Sequence, residues 1–218
     1  MSKFRVFGWS LLCVFLCSAS SLHASFIAIP GLQSTGVDSQ GAQLANGVLD
    51  SAWKVKFYAN VVQNPLPTPI SVTDPTYAIQ NHQNWLSNTA PGTLGSKWIS
   101  RQQFTGTGNP PAVTGGTYFY QTQFDLTGLV ASTASFTFRF TSDNASQVFF
   151  NGAEIAGASR GNEQFGSFSN NFTVNSGFLS GVNTLVVRVI NGIGSNVSNN
   201  QSIDARSKAL IHGKIATE

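Results

Sequence analysis

Cysteine is nearly absent from this 218-residue chain: the only two, Cys13 and Cys17, both lie close to the N-terminus. Neither follows the small-residue pattern expected before a lipid-modified cysteine. If the segment that contains them is removed, no disulfide can form, and a hydrophobic core must hold the fold together. A chain of about 190 residues buries roughly 70% of its unfolded surface, which is enough for one such core.

Charged side chains are also scarce, at 10% of all residues against roughly 25% in typical globular domains. Without Lys3 and Arg5, ten basic residues stand against nine acidic ones, and they are scattered. Because no basic stripe is present to neutralise phosphates, nucleic acid is excluded as a partner. The surface polarity comes instead from Ser, Thr, Asn, Gln and Gly. Such a surface suits neutral, hydroxyl-rich partners, although many extracellular β proteins simply have this composition.

The first 24 residues predict a cleavable signal peptide. Lys3 and Arg5 precede an apolar run over residues 6–17, and small and polar residues follow up to Ala24, which is the order of a secretory signal. The run is about a dozen residues long, whereas a membrane span needs about 20. We therefore expect cleavage after Ala24, with Ser21 as the alternative, and a secreted protein, extracellular or periplasmic, without a membrane anchor.

Groupings of catalytic or metal-binding side chains are missing. Only His82 and His212 remain after the signal, no Gly-x-Ser-x-Gly motif occurs, and the acidic residues show no paired pattern. No metal-ligand spacing is present, so we expect no cofactor, although a single calcium held by backbone carbonyls would leave no trace in a sequence. The chain is therefore not expected to be an enzyme.

What the chain does contain is a series of short segments typical of β-strands. Residues 53–57 place three apolar side chains on one face and two lysines on the other, and residues 135–141 alternate strictly. Asn151-Gly152 joins two apolar segments and favours a type I′ hairpin turn. Further strands are expected at 96–99, 118–124, 147–150, 153–156, 171–174, 184–190 and 208–215. This pattern, without a helical period, predicts an all-β fold, a two-sheet antiparallel jelly-roll sandwich.

The sandwich domain is expected at residues 46–218. Residues 25–45 are rich in Gly, Ser and Gln and predict a flexible N-terminal segment, and the proline-rich stretch 63–76 predicts a loop with at most an edge strand.

The order of aromatic and turn residues resembles a known family. Leu49–Trp53, Trp85-Leu86, Trp98-Ile99, Gly116–Tyr120 and Phe149–Gly152 are similar to the sandwich modules of bacterial secreted proteins that often carry a C-terminal sorting signal of the Pro-Glu-Pro type. More distantly, the chain resembles the galactose-binding-like sandwich that accompanies glycoside hydrolase catalytic domains. The resemblance spans about residues 46 to 215 and implies a fold more than an activity. The sequence ends without the sorting motif, which favours release over anchorage.

Five residues are candidates for ligand contact. Trp85, flanked by Asn84 and Ser87, is the best exposed candidate for stacking on a sugar ring, with core packing as the equal alternative. Arg139 and Arg188 face away from the apolar side of their strands and would form a polar platform if those strands are neighbours. Asp143 and Asn144 follow the strand at 135–141, where they either close a turn or contact a ligand.

Two functions follow, from different classes. The first is a secreted, non-enzymatic module that binds a neutral glycan or exopolysaccharide. The second is a structural or matrix protein that self-assembles outside the cell, because long strands with few charges protect their edges poorly. A glycan-active enzyme is the least favoured hypothesis.

Overall fold

The computed structural model describes residues 25–63, 71–93, 95–192 and 206–217. The predicted signal peptide, residues 1–24, lies outside them. Within these ranges the protein is all-β, and its one helical turn is a 3-10 helix at Ala131–Thr133. The strands are β1 (Phe26–Ala28), β2 (Leu49–Ala59), β3 (Asp74–Ile79), β4 (Trp98–Ser100), β5 (Gly116–Asp125), β6 (Ser135–Asp143), β7 (Ala145–Phe150), β8 (Ala153–Arg160), β9 (Phe172–Val174), β10 (Val182–Asn191) and β11 (Arg206–Ala216). No helix of the described chain is long and apolar enough to cross a membrane.

The strands form a two-layered antiparallel sandwich, as the sequence predicts. The hydrogen-bonded order is β8-β7-β10-β5-β2-β3-β4-β11-β6-β9, and β1 pairs with β11. The path changes layer at the β4–β11 corner, and ring contacts from β5 and β7 to β6 join the two layers. The β4–β11 link at this corner is a single residue pair, Ile99 opposite Ser207. Residues 74–76 at the start of β3 pair only with β2, and β4 joins from Tyr77 onward. The described part of the stretch 63–76 is therefore a loop that leads into a strand edge, as expected, and residues 64–70 lie outside the described residues.

Phenylalanine rings fill the space between the layers. The inward positions of β6, Phe136, Phe138 and Phe140, are almost completely buried. The Phe136 ring centroid lies 6.5 Å from that of Phe124 in β5 and 5.3 Å from that of Phe150 in β7, both in edge-on geometry. The strict alternation in the sequence thus corresponds to one buried face of a half-buried strand.

The N-terminal segment 25–45 is packed against the sandwich, which differs from the flexible segment expected. Phe26–Ala28 pairs with β11, and the Thr35 hydroxyl donates to the Lys97 carbonyl at 2.7 Å. Gly36 adopts φ +64°, and a Cβ there would lie 2.6 Å from that of Lys97. The Gly and Ser residues that suggest flexibility in the sequence therefore allow close approach of the backbone instead.

A buried carboxylate fastens this segment to β2. Asp50, 1% exposed, accepts hydrogen bonds from the backbone N–H groups of Gly36 at 2.6 Å, Ala52 at 3.0 Å and Trp53 at 3.2 Å. Burial raises the pKa of Asp50 to about 6, although the three N–H donors oppose the rise. Desolvation of the charged form outweighs the hydrogen bonds that stabilise it.

The predicted hairpin turn is confirmed. Asn151 and Gly152 have φ values of 48° and 84°, the two positive angles that a type I′ turn requires. The Asn151 side chain also holds the start of β10, because its oxygen accepts the Thr184 N–H at 2.8 Å and its nitrogen donates to Asn183 Oδ1 at 2.9 Å.

We predict that Gly152→Val destabilises the protein, since a β-branched residue at positive φ is strained. The expected cost is about 2 kcal/mol, and it should lower the Tm by roughly 5 °C. Thermal unfolding followed by circular dichroism measures the change. The control is Ala153→Val, which places the same side chain one residue later on an exposed strand position. Equal Tm values for both variants would contradict the strained turn.

We predict that the protein loses stability as the pH rises from 4 to 7 because of Asp50. Its folded-state pKa of about 6 lies above the unfolded value, so its contribution is complete below the unfolded pKa and is lost as the pH passes 6. About two pKa units correspond to at most about 3 kcal/mol. Urea unfolding at four pH values should show this fall in the wild type and not in Asp50→Asn.

Asp125→Asn is the control for this experiment. Asp125 is exposed, and hydrogen bonds from Thr127 lower its pKa, so its linkage to stability has the opposite sign. The decline between pH 4 and 7 should persist in this variant. A decline that also persists in Asp50→Asn would assign the pH dependence to another group.

Candidate functional site

Trp85 is buried, not exposed. Its side chain is 5% accessible, and its ring centroid lies 4.7 Å from that of Trp98. Its indole N–H donates to Asp143 Oδ2 at 2.8 Å. The exposure predicted for stacking on a sugar is therefore wrong, and the alternative of core packing is right. The polar neighbour Asn84 is exposed, which explains why a local reading of the sequence places the indole on the surface.

Asp143 and Asn144 serve as structural ties at the end of β6. Asp143, 3% exposed, anchors the loop that carries Trp85. Asn144, half-buried, donates from Nδ2 to Asn191 Oδ1 at 2.9 Å, and Asn191 in turn donates to the Thr114 carbonyl at 3.2 Å. Trp85 and Asp143 are separate ligand candidates in the sequence, and the structure joins them by a hydrogen bond in the interior.

Arg139 and Arg188 do not form a platform. β6 lies between β11 and β9, whereas β10 lies between β5 and β7 in the opposite layer. Both strands turn their apolar side chains toward the shared core, so the two arginines point away from each other.

Each arginine is held on its own outer face. Arg139 donates to the Gly92 carbonyl at 2.5 Å, and its guanidinium lies 4.5 Å from the Phe168 ring centroid. Arg188 donates to the Gln147 side chain and lies 5.6 Å from the Phe149 ring centroid. Burial lowers the pKa of Arg188, although the Glu154 charge opposes this.

A cleft that the sequence does not single out opens where β3 begins and β4 ends. Tyr77 pairs with Ser100 in the antiparallel register of these strands, so Arg101, the next residue, reaches the start of β3, where Asp74 lies. The cleft has a volume of about 540 Å³. Its walls are Asp74, Pro75, Tyr77, Arg101, Gln102, Val113, Thr114 and Tyr118.

The floor of the cleft is rigid and aromatic. The Tyr118 hydroxyl donates to the Thr114 carbonyl at 2.6 Å, and the Tyr118 ring centroid lies 4.4 Å from that of Phe57. The Thr114 carbonyl is the same one that accepts from Asn191. Asn144, a predicted ligand contact, is therefore linked to the cleft through Asn191 without lining it.

An ion pair forms the rim. Arg101 Nε lies 2.8 Å from Asp74 Oδ2, with the two side chains 47% and 34% exposed. The Arg101 guanidinium lies 5.3 Å from the Phe57 ring centroid, a cation–π contact that orients it. The cleft thus combines aromatic side chains with a charged donor and a charged acceptor that water, or a ligand, can reach.

A second cleft, on the outer side of β2 and β5, has a different character. Its volume is about 350 Å³, and glutamine side chains with Lys54 dominate its lining, which contains no aromatic ring. In the described ranges, no three His, Cys, Asp or Glu side chains are grouped to hold a metal ion.

The signal for the first cleft in the sequence is weak. Asp74 and Tyr77 follow a run of prolines that predicts a loop. Arg101 is one of the ten basic residues that are scattered along the chain after the signal. Only the pairing of β3 with β4 brings them together, and that pairing joins residues 19 to 23 positions apart. A local pattern does not contain this information.

Comparison with known proteins leaves the family open. No family model matches the chain, and no curated protein matches its sequence at a significant level. Among solved structures, a β-glucosidase from Kluyveromyces marxianus in complex with glucose aligns over 84% of this chain and 18% of its own, with 14% identity and a TM-score of 0.30. The GH31 α-xylosidase from Xanthomonas citri aligns over 88% and 19%, with 10% identity and a TM-score of 0.29. The chain spans about a fifth of the length of these proteins, and likeness at this level carries no argument about function.

We predict that Trp85 and Asp143 are energetically coupled. A double-mutant cycle of Trp85→Phe and Asp143→Ala should give a coupling free energy of about 1–3 kcal/mol, because the hydrogen bond is buried and its acceptor is a carboxylate. Urea unfolding measures each corner of the cycle. His82→Ala with Asp143→Ala is the control, since the His82 ring contacts Trp85 without an indole donor. If the coupling free energy does not exceed that of the control pair, the hydrogen bond adds no stability beyond the packing of the Trp85 ring.

Proposed function

We propose that the protein is a secreted, non-enzymatic module that binds a carbohydrate or exopolysaccharide, and that the binding site is the cleft between Tyr77, Tyr118 and the Arg101–Asp74 pair. The observation that carries the proposal is the combination of an aromatic floor with an accessible ion pair in one concave surface.

The size and lining of the cleft support a small-molecule ligand. Binding clefts typically measure about 300–1,000 Å³ and combine apolar or aromatic walls with a few polar groups. A pyranose ring has an apolar C–H face that can lie on Tyr77, and its hydroxyls can bond to Arg101, Asp74 and Gln102. Aromatic side chains with a polar end suit such amphipathic ligands.

The chemistry of the cleft favours binding over hydrolysis. Glycoside hydrolysis by the common routes uses two carboxyl groups on either side of the scissile bond. The cleft lining contains one, Asp74, and an arginine already pairs with it. The site therefore supplies an acceptor without a second acid to protonate a leaving group.

Secretion is part of the proposal and depends on the N-terminal sequence. A surface with few charges, rich in Ser, Thr and Asn, suits contact with neutral, hydrated polymers outside the cytoplasm. Both properties support an extracellular glycan as the ligand.

The test is a glycan array followed by titration monitored by ¹H–¹⁵N correlation spectra. We expect binding with Kd values of roughly 1 mM or tighter, equivalent to about −4 kcal/mol. Signals of residues in the cleft should shift most, and Tyr77→Ala should weaken binding by about tenfold because the stacking surface is lost.

Tyr58→Ala is the matched control, because Tyr58 packs on the outer face of the sheet against Phe119, away from the cleft. It should bind as the wild type does. The proposal fails if no glycan binds at millimolar concentration, or if Tyr58→Ala and Tyr77→Ala lose affinity equally.

A further inference from the structure

The ion pair at the rim of the cleft has unused hydrogen-bonding capacity. Only Nε of Arg101 bonds to Asp74, through Oδ2. Within the described residues, the two terminal nitrogens of Arg101 and Oδ1 of Asp74 make no further hydrogen bond. One side of the pair thus presents donors and the other an acceptor, side by side.

Two contacts orient the Arg101 side chain without a ligand. The guanidinium plane is held by the Phe57 ring at 5.3 Å and by the single bond to Asp74. The Phe57 ring is itself packed on Tyr118. A guanidinium held in this way loses little conformational freedom when it binds, which is the advantage of arginine over lysine at such sites.

The charges in the cleft lining sum to zero. Among the described residues, Arg101 and Asp74 are the only side chains of the lining that carry a full charge at neutral pH. A carboxylated ligand that approaches Arg101 therefore also approaches the Asp74 carboxylate, and like charges at short range disfavour binding. A neutral ligand meets no such repulsion.

We propose that the Arg101–Asp74 pair selects neutral sugars that carry two adjacent hydroxyl groups. One hydroxyl accepts a hydrogen bond from a terminal nitrogen of Arg101, and its neighbour donates to Asp74 Oδ1. The apolar face of the ring lies against Tyr77 and Pro75. This inference rests on the proposed function and specifies its ligand class.

The experiment measures the binding of three trisaccharides to the purified chain by calorimetry: mannotriose and cellotriose, which are neutral, and trigalacturonic acid. The wild type should bind one or both neutral probes at least about tenfold more tightly than the acidic probe. Asp74→Asn should weaken neutral binding by about tenfold and should strengthen binding of trigalacturonic acid. Arg101→Lys keeps the positive charge but loses the planar guanidinium with its two terminal nitrogens. It should weaken binding of the neutral trisaccharides by a similar factor.

Arg139→Lys is the matched control, since Arg139 also stacks on a phenylalanine ring but lies outside the cleft. It should bind as the wild type does, and the Tm of every variant should stay close to that of the wild type because these side chains are substantially exposed. Preferred binding of trigalacturonic acid, or unchanged neutral binding in Asp74→Asn, overturns the inference while the proposed function stands. If none of a wide panel of glycans binds, the proposed function fails and the inference fails with it.

Discussion

The contact between Phe136 and the opposite layer is the interaction on which the rest of the structure depends. Phe136 packs edge-on against Phe124 and Phe150, which belong to two different strands of the facing layer. Burying one phenylalanine side chain contributes about 1.5–3 kcal/mol, and β6 buries three in a row. Because no disulfide joins the described strands, this aromatic layer holds the two sheets together. The loops at either end of the sandwich are positioned only because the layers are fixed.

The polar interior has a different role, because it places loops relative to strands. Asp50 connects the N-terminal segment to β2, Asp143 connects the Trp85 loop to β6, and Asn191 connects the loop before β5 to β10. Each is a buried side chain with a partner in a different loop, 14, 58 and 77 positions away in the sequence. Burial makes an unmatched polar group costly, so these ties allow one loop arrangement and penalise others. Asn191 bonds to Thr114, a residue of the cleft lining, and so ties one wall of the cleft to β10.

The sequence predicts the strands well because their signals are local. The alternation of Phe136, Phe138 and Phe140 and the dipeptide Asn151-Gly152 each specify a structure within a few residues. The N-terminal segment and Trp85 are different, since their environment is formed by β11, Lys97 and Trp98, which the local sequence does not reveal. The same limit explains why Arg139 and Arg188 resemble a pair in the sequence: alternation assigns each to an outward face, but only the strand order tells which layer that face belongs to.

The pairing of β1 with β11 places the two ends of the described chain side by side. Phe26 lies opposite Ala216, and the Thr217 N–H donates to the Ser25 carbonyl at 3.0 Å. A tensile load applied through these two points acts perpendicular to the strands and opens the ladder one hydrogen bond at a time. This geometry resists force far less than shear along the strands, in which all the bonds bear the load together. A load applied between Ser25 and Thr217 therefore acts on the three-residue β1 ladder first and on the aromatic layer only afterwards. The residues that line the cleft belong to neither β1 nor β11, so separation of these two strands does not involve them directly.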